Sequence, residues 1–230
     1  MNTLKINWQQ TATEFVVIVV GVLAAFAVDE WRSERNDRRI EAEYLLRLRT
    51  DIQANIETFY GFEQILETKA SFLQSLLDDT IDSDFLDDTR SLMEAKVYSS
   101  FIALPDIVST TFEELQSTGR LALIQDLAQR DALSKYYSGF KHISAILSKP
   151  DSNYRRLVSE TVPGAITREW RLSKSISRPD EFRQSLKLLQ ANPDVQAALN
   201  SEIAYASSMQ YYLALYRNRA ENLLDLLNQK

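Results

Sequence analysis

A single histidine, His142, excludes a histidine-based triad and any multi-histidine metal site. With no cysteine there is no thiol nucleophile and no thiolate metal ligand. Two nominal catalytic patterns remain, and they share a lysine: Ser138-x-x-Lys141, of serine–lysine type, and Tyr137-x-x-x-Lys141, of dehydrogenase type. Neither has the companions its chemistry needs, because no glycine-rich phosphate loop and no second catalytic box occur elsewhere. His142, beside Tyr136, Tyr137 and Phe140, reads as a structural residue, packed or exposed. The acidic stretch Asp78, Asp79, Asp82, Asp84, Asp87 and Asp88 offers oxygen ligands for calcium. It lacks the mid-loop glycine and closing glutamate of an EF-hand, and so reads as a solvated loop between helices. The expectation is a chain that is not an enzyme, with no catalytic residue, cofactor or metal.

The remaining chemistry-bearing groups surround an apolar run. Phe15 to Val28 reads FVVIVVGVLAAFAV, about 14 residues, short of the ~20 needed to cross a bilayer. Trp8 and Trp31 bracket it about 35 Å apart along a helix, as interface anchors would. A transmembrane helix from about Trp8 to Trp31 is therefore expected. A secretory signal peptide fits the run length and Ala25-Phe26-Ala27, but its n-region would hold one lysine and Glu14. A buried core helix fits less well, since the run is apolar on every face.

Glu14, Gly21, Ala25, Val28 and Arg32 share one helix face, at steps of seven, four, three and four. Gly21 and Ala25 form a small-xxx-small pair that permits close helix approach. An acid beside them marks a membrane-helix interface, and in the sharper version a ring of Glu14 side chains lines a proton or cation path. In the blander version Glu14 snorkels, or sits uncharged within a helix–helix contact. Arg32, Arg35, Arg38 and Arg39 come immediately after and suit lipid headgroups, or helical pairing with Glu34 and Asp37. By the positive-inside rule they place the rest of the chain in the cytoplasm rather than the periplasm.

The chain beyond residue 31 must be a helical domain. Of 230 residues only 5 are Gly and 5 Pro, which favours long helices over a turn-rich β fold. The net charge of −6 argues against a nucleic-acid binder. From Leu45 an a/d stripe runs Leu48, Ile52, Asn55, Phe59, Phe62, Leu66, Lys69, Leu73, Leu76. It predicts a helix continuing from the anchor to about residue 78, with Gly61 as the place for a kink and Asn55 and Lys69 as register-fixing polar positions. A second stripe, Leu199, Ala206, Met209, Leu213, Tyr216, Ala220, Leu223 and Leu227, comes after the helix start Asn192-Pro193-Asp194. These two helices should pack as the spine of a bundle, with Tyr211, Tyr212 and Tyr216 in the core. Shorter helices should fill about 88–190 between Pro105, Pro150, Pro163 and Pro179. One should start at a capping box, Thr110 with Glu113 or Thr111 with Glu114, and end near Gly119; another should run from Leu121 to Leu147. The fold class is all-α, with an anchor over 1–31 and a helical domain over 32–230.

Two stretches resemble a family of uncharacterised bacterial single-pass membrane proteins, a domain of unknown function. One is Glu14…Gly21-Val22-Leu23-x-Ala25, then Asp29-Glu30-Trp31-x-x-Glu34-Arg35 and Tyr44-Leu45-x-x-Leu48. The other is Thr111-x-x-Glu114-Leu115-x-Ser117-x-Gly119-x-Leu121-x-Leu123-Ile124, then Arg130, Leu133 and Tyr136-Tyr137. The resemblance implies a bacterial inner-membrane anchor and a helical domain, and no activity or ligand. The N-terminal tail here is less basic than is usual in that family. The function expected is a membrane-tethered scaffold or sensor that self-associates as a homo-oligomer and contacts lipids. The alternative is an ion-conducting assembly with Glu14 facing a lumen.

Overall fold

The computed structural model describes residues 8–81, 103–148, 153–161 and 193–229, with a few positions between 184 and 191. All secondary structure among the described residues is helical. Helix α1 spans Trp8–Leu77, 70 residues and ~105 Å, and runs unbroken through Gly61. Helix α2 is Thr110–Ser117, a 3₁₀ turn lies at Arg120–Leu123, and α3 is Leu127–Leu147. Helix α4 is Asn153–Thr161 and α5 is Pro193–Asn228.

The two striped helices pack along each other. Their direction is antiparallel: Arg49 donates to the Leu227 carbonyl, Arg217 pairs with Glu63, and Lys69 with Glu202. Of the α1 stripe, only Phe62 is not fully buried. The whole α5 stripe is buried. The heptad pattern is therefore satisfied inside one chain, by α5 and the helices laid on it. Helices α3 and α4 rest on α5, while α2 and the 3₁₀ turn rest on α1. Phe59, Phe140 and Tyr216 meet at the centre with ring centroids 5.4 Å apart in two successive contacts. Each such buried ring contributes on the order of 2–3 kcal/mol.

Asn55 and Lys69 are both buried in the stripe, each with a polar partner from another segment. Asn55 is fully buried and makes two bonds to one backbone position: its Nδ2 donates to the Val108 carbonyl (3.0 Å), and its Oδ1 accepts the Val108 N–H (2.7 Å). That reciprocal pair pins the segment leading into α2 against α1. Asn55→Leu leaves both Val108 groups unmatched and is expected to cost about 2 kcal/mol, read as a lowered urea midpoint at unchanged slope.

Three local expectations change. Leu121 to Leu147 is not one helix: Ile124 is extended and buried, and the Asp126 side chain accepts from Ala128 N–H (2.8 Å) and Gln129 N–H (3.3 Å). An Asx N-cap restarts the chain there. The capping box is also displaced. Ser109 occupies the N-cap and its hydroxyl donates to Glu113, while the Thr111 N–H is met by Asp51 from α1. Finally, Tyr216 is core and Tyr212 packs partly against it, but Tyr211 is 65% exposed. Gly119 does close α2, with φ 68°. Asn192, Pro150, Pro163, Pro179 and Asp82 to Asp88 lie outside the described residues.

Candidate functional site

Among the described residues no helix is long and apolar enough to cross a membrane. Across the stretch expected to span, Trp8 to Trp31, the structure shows a continuous helix. Helix α1 carries an apolar segment of about 14 residues, ~21 Å, flanked by Glu14 on one side and by Asp29 and Glu30 on the other. That segment is bare: Phe15 is 67% exposed, Leu23 61% and Phe26 68%. Gly21 and Ala25 lie on it and Glu14 at its edge, all exposed, with open space around Gly21. Trp8 is the first residue of α1. Trp31 is exposed and the Arg35 guanidinium sits over its ring at 5.5 Å, a cation–π contact. Arg32, Arg38 and Arg39 are exposed too, and Arg39 donates to the Asn36 side chain at 3.3 Å. Burial of α1 against the domain begins at Glu41.

The domain's near end is a polar joint. Glu41 accepts the Gln125 N–H at 2.7 Å. Tyr44 donates to Glu114 Oε1 (2.8 Å), Arg47 bonds Glu114 Oε2 (2.7 Å), and Arg120 donates to the Tyr44 hydroxyl (3.2 Å). The joint unites the two stretches singled out in the sequence: Tyr44, Leu45 and Leu48 from the first meet Glu114, Leu115 and Ile124 from the second in one cluster. Spacing alone suggests a capping role for Glu114; its partners are 67 and 70 positions away, and no local pattern announces them.

Hydrogen bonds from Arg47 and then Tyr44 hold the Glu114 carboxyl below its ordinary value of 4.5. A carboxyl lowered in the fold binds fewer protons folded than unfolded, so its stabilisation is present above pH 4.5 and lost as pH falls through the folded value. Arg47 and Glu114 are 43% and 39% exposed, so solvent screens the pair. The expected outcome is a small acid loosening of α2 from α1, seen by amide exchange of 110–117 below pH 4.5, and absent in Glu114→Gln.

Deeper in the bundle lies a buried charge cluster. Lys69 Nζ and Glu202 Oε1 are 2.8 Å apart and both side chains are 1% exposed. The Tyr154 ring, itself buried, faces the ammonium at 5.1 Å from α4. Burial lowers the Lys69 ammonium and raises the Glu202 carboxyl, and each partner opposes the other's shift. Sequence reasoning misses Glu202, yet a signal exists. The α5 stripe steps from Leu199 to Ala206, a gap of seven whose missing member is Glu202.

A groove of about 640 Å³ runs between α2 and α3, bordered by Phe112, Glu113, Tyr137, Ser138 and Lys141. It brings the two nominal catalytic patterns to one wall. Ser138 Oγ, however, donates to the Ser134 carbonyl at 2.6 Å, and Tyr137 stacks on Phe112 with centroids 4.5 Å apart. Burial pushes the Tyr137 phenol up, the opposite of what a tyrosine–lysine proton donor needs. His142 is exposed on α3. No group of three metal-ligating side chains forms among the described residues.

Comparison of the chain with protein-family models, with curated proteins and with solved structures found no match.

Proposed function

We propose that this chain is a membrane-tethered, non-enzymatic helical scaffold or sensor of a bacterial inner membrane, self-associating through its membrane helix with the domain in the cytoplasm. One observation carries the reading. The segment from Phe15 to Val28 is exposed on every face, while the same helix buries its stripe thoroughly from Tyr44 onward. Large apolar side chains in a continuous sleeve of this kind call for a non-aqueous neighbour. Trp8 to Thr13, polar at Gln9, Gln10, Thr11 and Thr13 but uncharged, precedes the apolar segment, so Glu14 is the single ionisable residue from Trp8 to Val28. Trp31 and the arginines then fall at the headgroup level. The Glu14, Gly21 and Ala25 face supplies the contact between copies. This reading also agrees with what the family resemblance implies.

The test is the mass of the purified chain in detergent. A multiple of 26.4 kDa that dissociates on Gly21→Leu supports self-association, whereas a concentration-independent monomer removes it. The conducting alternative is separated by reconstitution. Conductance abolished by Glu14→Gln would replace the scaffold reading; none from either form removes the alternative.

A further inference from the structure

The arginines after the apolar segment stand on a bare neck. Burial of α1 starts only at Glu41, and Arg32, Arg35, Arg38 and Arg39 are exposed. None of the four forms an ion pair among the described residues, although Glu30, Glu34 and Asp37 are interleaved. Arginines elsewhere do find carboxylates: Arg47 holds Glu114, and Arg217 holds Glu63 and Glu221. Apart from the Arg39 bond to Asn36 and the Arg35 contact with the Trp31 ring, the exposed neck guanidiniums have donors left for an outside acceptor.

Their placement on the helix decides what that acceptor does. Steps of three and four beyond Arg32 reach Arg35 and Arg39, so the face of Glu14, Gly21, Ala25 and Val28 continues straight into three arginines. Arg38 lies about a third of a turn away. Two parallel copies joined at Gly21 and Ala25 would therefore bring Arg32, Arg35 and Arg39 of each copy face to face. Like charges so placed oppose association. Helix α1 is unbroken across this stretch, so the neck cannot turn independently of the anchor.

We infer that self-association of this chain is conditional on anionic phospholipid, whose headgroup phosphates bind Arg32, Arg35 and Arg39 of adjoining copies and cancel the repulsion along the shared face. The inference rests on the tether-and-association reading above. The guanidinium fork matches a phosphate bidentately. A phosphodiester with no balancing cation supplies net negative charge, and an anionic leaflet concentrates it at this depth. A zwitterionic headgroup carries the phosphate but returns the positive charge.

The chain has no cysteine, so Gln229→Cys, at an exposed position, gives a unique labelling site. Donor- and acceptor-labelled full-length protein is reconstituted into vesicles of phosphatidylcholine, alone or with about one third phosphatidylglycerol, and energy transfer and co-flotation are both read. The anionic lipid is expected to raise the association constant about fivefold or more, the factor a single ~1 kcal/mol arginine–lipid contact supplies. Arg32→Gln, Arg35→Gln and Arg39→Gln together should give high association in both vesicles. Equal transfer of the wild type in both vesicles, with flotation intact, overturns the inference and leaves the tether standing. So does an unchanged lipid dependence in the triple variant. Failure to float with either vesicle overturns the tether itself. Inorganic phosphate reproducing the rise on phosphatidylcholine alone overturns the lipid as the source.

Discussion

Lys69→Met alone should lower the unfolding free energy by about 3–5 kcal/mol, because it leaves the Glu202 carboxylate buried without its cation. Glu202→Gln should cost a similar amount from the other side. Against a typical total of about 5–15 kcal/mol, either loss is severe. The double change Lys69→Met with Glu202→Leu should recover most of it, since two desolvated charges give way to apolar contact with Tyr154 and neighbouring helices. That recovery would show that the pair adds little net stability to the packing of α1 on α5. The pH dependence of the single variants is opposite in sign. In Lys69→Met, burial holds the folded Glu202 carboxyl above its ordinary 4.5, so stability is greatest below that value and falls as pH rises through the folded one. In Glu202→Gln, burial holds Lys69 below its ordinary 10.5, so stability is greatest above that value and falls as pH drops through the folded one. Urea titrations at several pH values read both slopes; parallel profiles for the two variants would show that the charges are not buried as a pair.

Val19→Arg together with Leu23→Arg is the second large effect expected. Both residues lie in the bare segment of α1 and touch none of the bundle core, so the domain should keep its unfolding midpoint. Each arginine near a bilayer centre costs about 2.5–3.5 kcal/mol, so the two together should weaken membrane partitioning on the order of 10⁴-fold. The variant should move from the membrane fraction to the soluble fraction as a folded protein. Retention in the membrane, or unfolding of the domain, would each contradict the division of α1 into an inserted part and a packed part.

Much of this architecture is legible in residue spacing. Steps of three and four mark the buried stripes of α1 and α5 because helical burial repeats with that period, and Pro193 marks where α5 begins. Spacing cannot say which stripe residue meets which. The Tyr44–Glu114 and Asn55–Val108 bonds join positions 70 and 53 apart, and only packing in three dimensions sets them. Glu202 hides inside a stripe because an acid is not expected at a core position until its lysine is seen. Asp126 hides for a different reason. The apolar residues on either side of it suit one helix, and the cap competes locally with that pattern and wins. The neck arginines are plain in the sequence; that none of them forms an ion pair with its neighbouring acids among the described residues is visible only in three dimensions.

A single-cysteine scan over residues 8–44 of the full-length protein in vesicles, probed with a membrane-impermeant maleimide, tests the central reading most directly. Positions from about 15 to 28 should be protected on all helix faces, Arg32 to Arg39 should react, and protection should return at Glu41 and Tyr44, on the buried face alone. Reaction at every position of the apolar segment would place α1 in water along its whole length and remove the tether.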